Sequence, residues 1–338
     1  MDRREFLALG AAFAQPNSTR LLKPRALKPG DTVGLITPGT YASDPDRMVL
    51  AERTLLHFGL KTRFGRNVRR RAGYLGGSID ERAADLHDMF RDPDVKAVLC
   101  IRGGVGSSQL LDRIDYELIR RNPKILAGYS DITSLHLAVH RRTGLVTFHG
   151  PVAVSGFTEY TQQWFRRALF DTRPLGVLEN PPEKNTLRPA HPLRAVVSGT
   201  ARGPLAGGNL TLISLLMGTP FEIETRGRIL FLEDVGEEPY RIDRMLTQLR
   251  LGGKFDGVAG VIWGECNECG PRAFQPSFES TFSVGEVVDQ ILGQLRVPVL
   301  SGLVIGHTDD QLTLPMGVTA SLDADKGTLR IDEPATSE

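Results

Sequence analysis

Two periods alternate along the first half of the chain. Short apolar runs, "TVGLI" (32–36), "VKAVLC" (95–100), "KILA" (124–127) and "GLVTFH" (144–149), are separated by segments such as "DPDRMVLAERTLLHFGL" and "SIDERAADLHDMF". In those segments apolar residues return every three or four positions. The runs have the length and continuity of buried strands, and the segments between them have the period of amphipathic helices. "KTRFGR" (61–66) adds a short strand, and Ser78 with Asp80 places cap chemistry at the start of the second helix. Strands separated by helices predict βαβ units and a parallel, doubly wound sheet.

The texture changes after "WFRRALF". Pro174, Pro181, Pro182, Pro189, Pro192 and Pro204 fall among charged residues and read as an interdomain connection. Beyond it, "GPLAGGNLTLISLLMGTP" is a Gly-rich turn into a helix, and "RILFLEDVGEEPYRIDRMLTQLRLGG" is a strand, an acidic turn and a helix. Strand, helix and strand follow, and the closing residues alternate like paired strands. The expected organisation is a leader over 1–23, an N-terminal domain over 24–170, a connection over 171–203 and a β-rich domain over 204–332.

An open α/β sheet binds ligands outside the carboxyl ends of its strands. Four turns fall there: "TPGT" (37–40), "RGGVGSS" (102–108), "GYSDIT" (128–133) and "FHGP" (148–151). In the third, an apolar strand meets a helix across Gly128-Tyr129-Ser130-Asp131. Ser and Asp there are good helix caps. The same abrupt strand-to-helix turn also lifts a serine out of the backbone with helix amides behind it, as a nucleophile requires.

Composition narrows the classes. Lys and Arg number 41 against 40 Asp and Glu, a net charge of +1, so the basic excess of a nucleic-acid-binding protein is missing. No apolar run approaches the ~20 residues that span a bilayer, so stable membrane insertion is not expected. The start of the chain, "MDRREFLALGAAFAQP", has paired Arg3 and Arg4, a short apolar run and Ala12-Phe13-Ala14, resembling a twin-arginine export signal. A periplasmic location is therefore expected, with the cytoplasm as the alternative. Cys100 falls in an apolar run. Cys266 and Cys269 form a single C-x-x-C, which reads as an ordinary loop, with a disulfide or a metal site as lesser alternatives.

A serine nucleophile needs a base and the base an orienting partner. His57 and His87 lie on amphipathic helices and read as surface groups; His136 and His140 have metal-compatible spacing but no further ligand nearby, so no metal is expected. His149 ends a strand and His191 sits in the Pro-rich connection. His307, after Gly306 at the end of an apolar strand, is placed to meet a cleft. Glu233, where "RILFLEDVGEE" emerges into its turn, is an acid candidate, with Asp234, Glu237 and Glu238 as competitors. The Asp131 amide at a helix start and a glycine of "RGGVGSS", most plausibly Gly104, are candidate oxyanion donors. Arg102 and Val105 on that glycine turn, and Asn209 where "GPLAGGNLTLISLLMGTP" enters its helix, are the candidate substrate contacts.

Taken together, "LKPGDTVGLITP", "YLGGSIDERAADLHDMFRDPDVKAVLCIRGGVGSSQLLDRIDY", "AGYSDITSLHLAV", "GPLAGGNLTLISLLMGTP", "FLEDVGEEPYRIDRMLTQL" and "GHTDDQLTLPMGVTASLD" resemble the LD-carboxypeptidases, serine peptidases that trim murein tetrapeptides, with relatives that confer immunity to microcin C. The resemblance runs from about Leu27 to about Leu329. It implies a flavodoxin-like domain, a smaller β-rich C-terminal domain, an active site between them and commonly a homodimer. It also implies Ser130 as nucleophile, His307 as base, Glu233 as orienting acid and no cofactor. Val105 stands where the family usually carries Tyr.

The expected activity is hydrolysis of the amide between an L-centre and the terminal D-Ala of peptidoglycan stem peptides. The alternatives are a microcin-immunity-type hydrolase of peptidyl or aminoacyl adenylates, and a non-catalytic Rossmann-like ligand-binding protein. Against the last, "RGGVGSS" fails the dinucleotide pattern, since Gln109 stands where a third glycine would fall.

Overall fold

The computed structural model of the chain describes residues 21–338 apart from Ser43, Lys184 and Thr186. The export signal expected at the start lies outside the described residues as far as position 20. The end of the expected leader is tied to the body, with Leu22 N–H donating to Gly144 O and Val146 N–H to Leu22 O, both at 2.9 Å.

The first sheet contains β1 (Thr32–Ile36), β2 (Lys61–Phe64), β3 (Val95–Cys100), β4 (Ile125–Gly128) and β5 (Phe148–His149), all parallel and ordered 2-1-3-4-5. That order is flavodoxin-like, and its carboxyl edge is where a ligand crevice opens. β1, β3 and β4 are near-continuous apolar runs because helices cover both faces of a parallel sheet. The covering helices are α1 (Pro45–His57), α2 (Ile79–Arg91), α3 (Tyr116–Arg121), α4 (Thr133–Thr143) and α5 (Glu159–Phe170). Ser78 caps α2 in a reciprocal capping box with Glu81, so Glu81 rather than Asp80 completes that start signal.

The second sheet has eight strands. β8 (Thr200–Asn209), β9 (Ile229–Val235), β10 (Gly260–Asn267) and β11 (Val299–Leu303) form a parallel centre, and β13 (Thr319–Asp323) and β14 (Thr328–Ile331) extend it antiparallel beyond β8. The helices α6 (Leu210–Leu215), α7 (Pro239–Leu251) and α8 (Val284–Ile291) belong to this half. The Pro-rich segment read as a connection supplies both outer strands of this sheet, β6 (Gly176–Leu178) and β7 (Arg194–Val197). Pro174 and Pro192 flank these strands, and edges are where such punctuation is tolerated.

Several contacts join the halves, two of them through the ends of strands. The short β12 (Leu314–Pro315) leaves the second half and pairs antiparallel with β5, Leu314 opposite His149. At the end of β8, Gly208 lies against α4, where a side-chain carbon would stand 2.5 Å from Thr133 Cγ2, and Asn209 N–H donates to Thr133 Oγ1 at 3.0 Å. Only glycine permits that approach.

Candidate active site

β4 ends at Gly128 and the chain turns at once into a 3₁₀ turn, Ser130–Ile132, that feeds α4. Ser130 takes φ 64°, a left-handed conformation uncommon for a residue with a side chain. No side-chain cap bond forms at the start of this turn. The capping explanation for Ser130 therefore fails. Its hydroxyl projects across the domain boundary instead, with Oγ 3.1 Å from His307 Nε2.

His307 follows β11, in a stretch whose downstream end is anchored to the first half. Gln311 N–H donates to Thr161 Oγ1 on α5 at 2.9 Å, and β12 then enters the first sheet. The imidazole Nδ1 lies 2.8 Å from Glu233 Oε2. Glu233 is 0% exposed. It is the fifth residue of β9, and Gly306 and Gly264 leave room for it: a side-chain carbon at Gly306 would fall 2.0 Å from Oε2. Strand alternation turns its neighbour away, so the Asp234 carboxylate instead accepts from Asn209 Nδ2 at 3.0 Å and from Thr211 N and Oγ1 at 2.9 and 2.8 Å. Glu238 is spent on Ser277. Of the four acids at this turn, Glu233 alone meets the imidazole among the described residues.

Electrostatics follow from burial. Desolvation pushes the Glu233 carboxyl above its ordinary range, while His307 pulls it back. Tyr129 packs edge-on to the His307 ring with centroids 4.8 Å apart, restricting imidazole tilt. Behind Tyr129, His149 is fully buried, and burial holds its pKa well below the usual value.

The glycine turn after β3 is pinned from two sides. Val105 N–H donates to Thr40 Oγ1 at 2.9 Å, and a side-chain carbon at Gly104 would collide with the same threonine. On the other side the buried Asp131 carboxylate accepts from Gly106 N at 3.2 Å and Ser107 N at 2.9 Å. Arg82, also buried, donates to Pro38 O at 2.6 Å, Gly106 O at 2.8 Å and Gln109 Oε1 at 2.7 Å. Gly103 is drawn against the serine: a side-chain carbon there would stand 3.0 Å from Ser130 Cβ. The glycine turn therefore lies directly beside Ser130.

The expected substrate contacts divide. Val105 is 58% exposed at the mouth. Arg102 is half-buried, touches Tyr41 O at 3.5 Å, and forms no ion pair among the described residues. Asn209 is 3% exposed, and its side-chain amide caps α6 through Leu212 N and donates to Asp234. The C-x-x-C reading also changes, because Cys266 and Cys269 form a disulfide, their Cα atoms 5.5 Å apart and within bridging reach. His136 and His140 are engaged separately, by Gly128 O and Leu145 O, and no metal-binding cluster of three occurs among the described residues. No helix among them is long and apolar enough to cross a membrane.

Sequence reasoning missed Tyr129, Arg82, Thr40 and the Asp131 carboxylate. All four act through contacts between separate turns, and no local spacing announces such contacts.

The N-terminal domain of the LD-carboxypeptidases matches residues 33–150, and their C-terminal domain matches residues 202–322. A Bacillus subtilis protein named "Probable murein peptide carboxypeptidase" is 42% identical over 315 residues, 92% of this chain and 94% of its own. Among solved structures, MccF in complex with glutamyl sulfamoyl guanosine superposes with a TM-score of 0.84 at 29% identity, covering 94% of this chain and 100% of that one. Muramoyltetrapeptide carboxypeptidase from Oxalobacter formigenes superposes with a TM-score of 0.76 at 27% identity, covering 90% and 99%.

Proposed function

We propose that this chain, which belongs to the LD-carboxypeptidase family, removes the terminal D-Ala from murein tetrapeptides by acyl-enzyme chemistry at Ser130. The observation that carries this reading is the relay from Ser130 Oγ through His307 to Glu233, 3.1 and 2.8 Å long, with its serine on a left-handed turn. Ser130 Oγ attacks the carbonyl that links the L-centre of the diamino acid to D-Ala. His307 Nε2 accepts the hydroxyl proton and later delivers it to the departing amine. Glu233 fixes the tautomer with the proton on Nδ1 and stabilises the imidazolium. The amides of Asp131 and Gly104 bear the oxyanion, each such donor being worth about 2.7–4 kcal/mol. Water then cleaves the acyl-enzyme by the reverse proton path.

Arg102 supports an exopeptidase rather than an endopeptidase. Burial and the neighbouring Arg47 both weaken its hold on its proton, so an incoming anion would relieve it. It adjoins Gly103, which lies against Ser130. We assign it to the free carboxylate of the leaving D-residue. The protein would work in the periplasm on peptidoglycan stem peptides, as a homodimer.

Mass spectrometry of a murein tetrapeptide incubated with the protein and with Ser130→Ala tests the reading. Release of D-Ala by the parent and not by the variant is expected; release that persists in the variant removes Ser130 from its role. The likeness to MccF favours a second reading, in which the same relay cleaves an aminoacyl or peptidyl adenylate. Turnover of an aminoacyl adenylate analogue without release of D-Ala would select it.

A further inference from the structure

Asn267 lies between the two turns that carry the acid and the base. Its residue closes β10, paired with Val235 of β9 two positions beyond Glu233. Its backbone carbonyl accepts from Gly236 N at 2.9 Å, in the turn that follows Glu233. Its side-chain Nδ2 donates to the carbonyl of His307 at 2.7 Å. One residue therefore spans the turn after the acid and the backbone of the base.

Asn267 is exposed, so water competes for both bonds, and such a clamp holds only if its donor is positioned in advance. The disulfide supplies that positioning. Cys266 and Cys269 bracket Asn267 and Glu268 in a closed four-residue turn, in which Glu268 takes φ 57° and Cys269 N–H donates to Cys266 O. A left-handed conformation is costly for a residue with a side chain and persists where its surroundings over-determine it. With the cross-link open, Glu268 would be held within the turn by the single bond from Cys269 N–H to Cys266 O, and the Asn267 amide would be aimed at His307 by its strand pairing alone.

We infer that Asn267, locked by the Cys266–Cys269 disulfide, is a positioning residue for His307, and that reduction of this disulfide by a dithiol lowers the reactivity of Ser130. The exchange is balanced. One thiolate of the dithiol attacks a cysteine sulfur, forming a mixed disulfide and expelling the other cysteine as a thiolate, and the second thiol of the reductant then breaks that mixed bond, closing its own disulfide and releasing the first cysteine. Two electrons and two protons pass to the cysteine pair. Both cysteines are partly exposed. The inference rests on the reading of Ser130 as nucleophile, but on no particular peptide substrate.

The test uses the full-length protein and a fluorophosphonate probe, measuring the maximal rate of Ser130 labelling and the probe concentration at half-maximal rate. Dithiothreitol should lower the maximal rate about tenfold or more, since a displacement near 1 Å can cost 10²-fold. The half-saturating concentration should stay unchanged, and reoxidation should restore the rate. The double variant Cys266→Ser/Cys269→Ser should match the reduced protein and ignore the reductant. Asn267→Asp, the same shape but unable to donate when ionised, should show the same loss with the disulfide intact. An oxidised protein that labels normally, and labels as fast after verified reduction, overturns the inference while leaving Ser130 in place. Absence of labelling in the oxidised protein overturns both.

Discussion

Gly306 and Glu233 are packed so tightly that no side chain fits between them: a carbon on Gly306 would stand 2.0 Å from Glu233 Oε2 and 2.3 Å from its Cδ. Gly306 also holds φ 83°, which side chains rarely adopt. The residue before the base is glycine because the acid must pass beside it to reach Nδ1.

Gly306→Ala should therefore push the Glu233 carboxylate off His307. We expect activity to fall by about 10²-fold, the scale set by a misplacement near 1 Å, and stability to fall by about 1–3 kcal/mol from the left-handed backbone. Steady-state kinetics and urea unfolding would measure both. An alanine variant with parental kcat would show that the Glu233 contact does not govern the reaction.

Glu233→Gln separates function from stability. Loss of the charge behind Nδ1 should cost about 10⁴ in kcat. Burial raises the Glu233 carboxyl above its ordinary value of 4.5. A carboxyl raised on folding keeps its proton more readily in the folded chain, so its contribution to stability is lost as pH climbs from the ordinary value through the raised one. The glutamine variant should thus melt above the parent at pH 7, with the gap closing below pH 4.5. Melting curves at the two pH values check the sign, and a variant that melts lower at pH 7 would refute it.

Ser130 pays conformationally for its position. Ser130→Gly and Ser130→Ala should both abolish turnover, but the glycine variant should be more stable than the alanine variant by about 1 kcal/mol, because only alanine retains the left-handed cost. Equal denaturation midpoints would mean that the turn is unstrained.

Arg102→Gln should lower kcat/KM for a peptide with a free terminal carboxylate by about 10- to 100-fold, the worth of a hydrogen bond to a charged group. For the C-terminally amidated peptide the two proteins should be nearly equal. A uniform loss on both peptides would remove Arg102 from carboxylate recognition.

The pattern along the chain carried the alternating strands and helices of the first half and most elements of the second, but not β6 and β7, which the Pro-rich stretch concealed. Continuous apolar runs at β1, β3 and β4 can be buried only in a helix-covered parallel sheet, so the turns after them, Ser130 included, had to share one edge. It also narrowed the acid to four neighbouring carboxylates and made His307 a cleft residue. Tertiary structure alone decided which acid served, because alternation along β9 and the gap left by Gly306 admit Glu233 and turn Asp234 toward Asn209. It likewise engaged the Asn209 amide with Asp234, closed the Cys266–Cys269 bridge and brought Arg82 and the Asp131 carboxylate under the glycine turn. Spacing records neighbours along the chain, whereas these contacts join turns whose approach is fixed only when β12 enters the first sheet and β8 seats on α4.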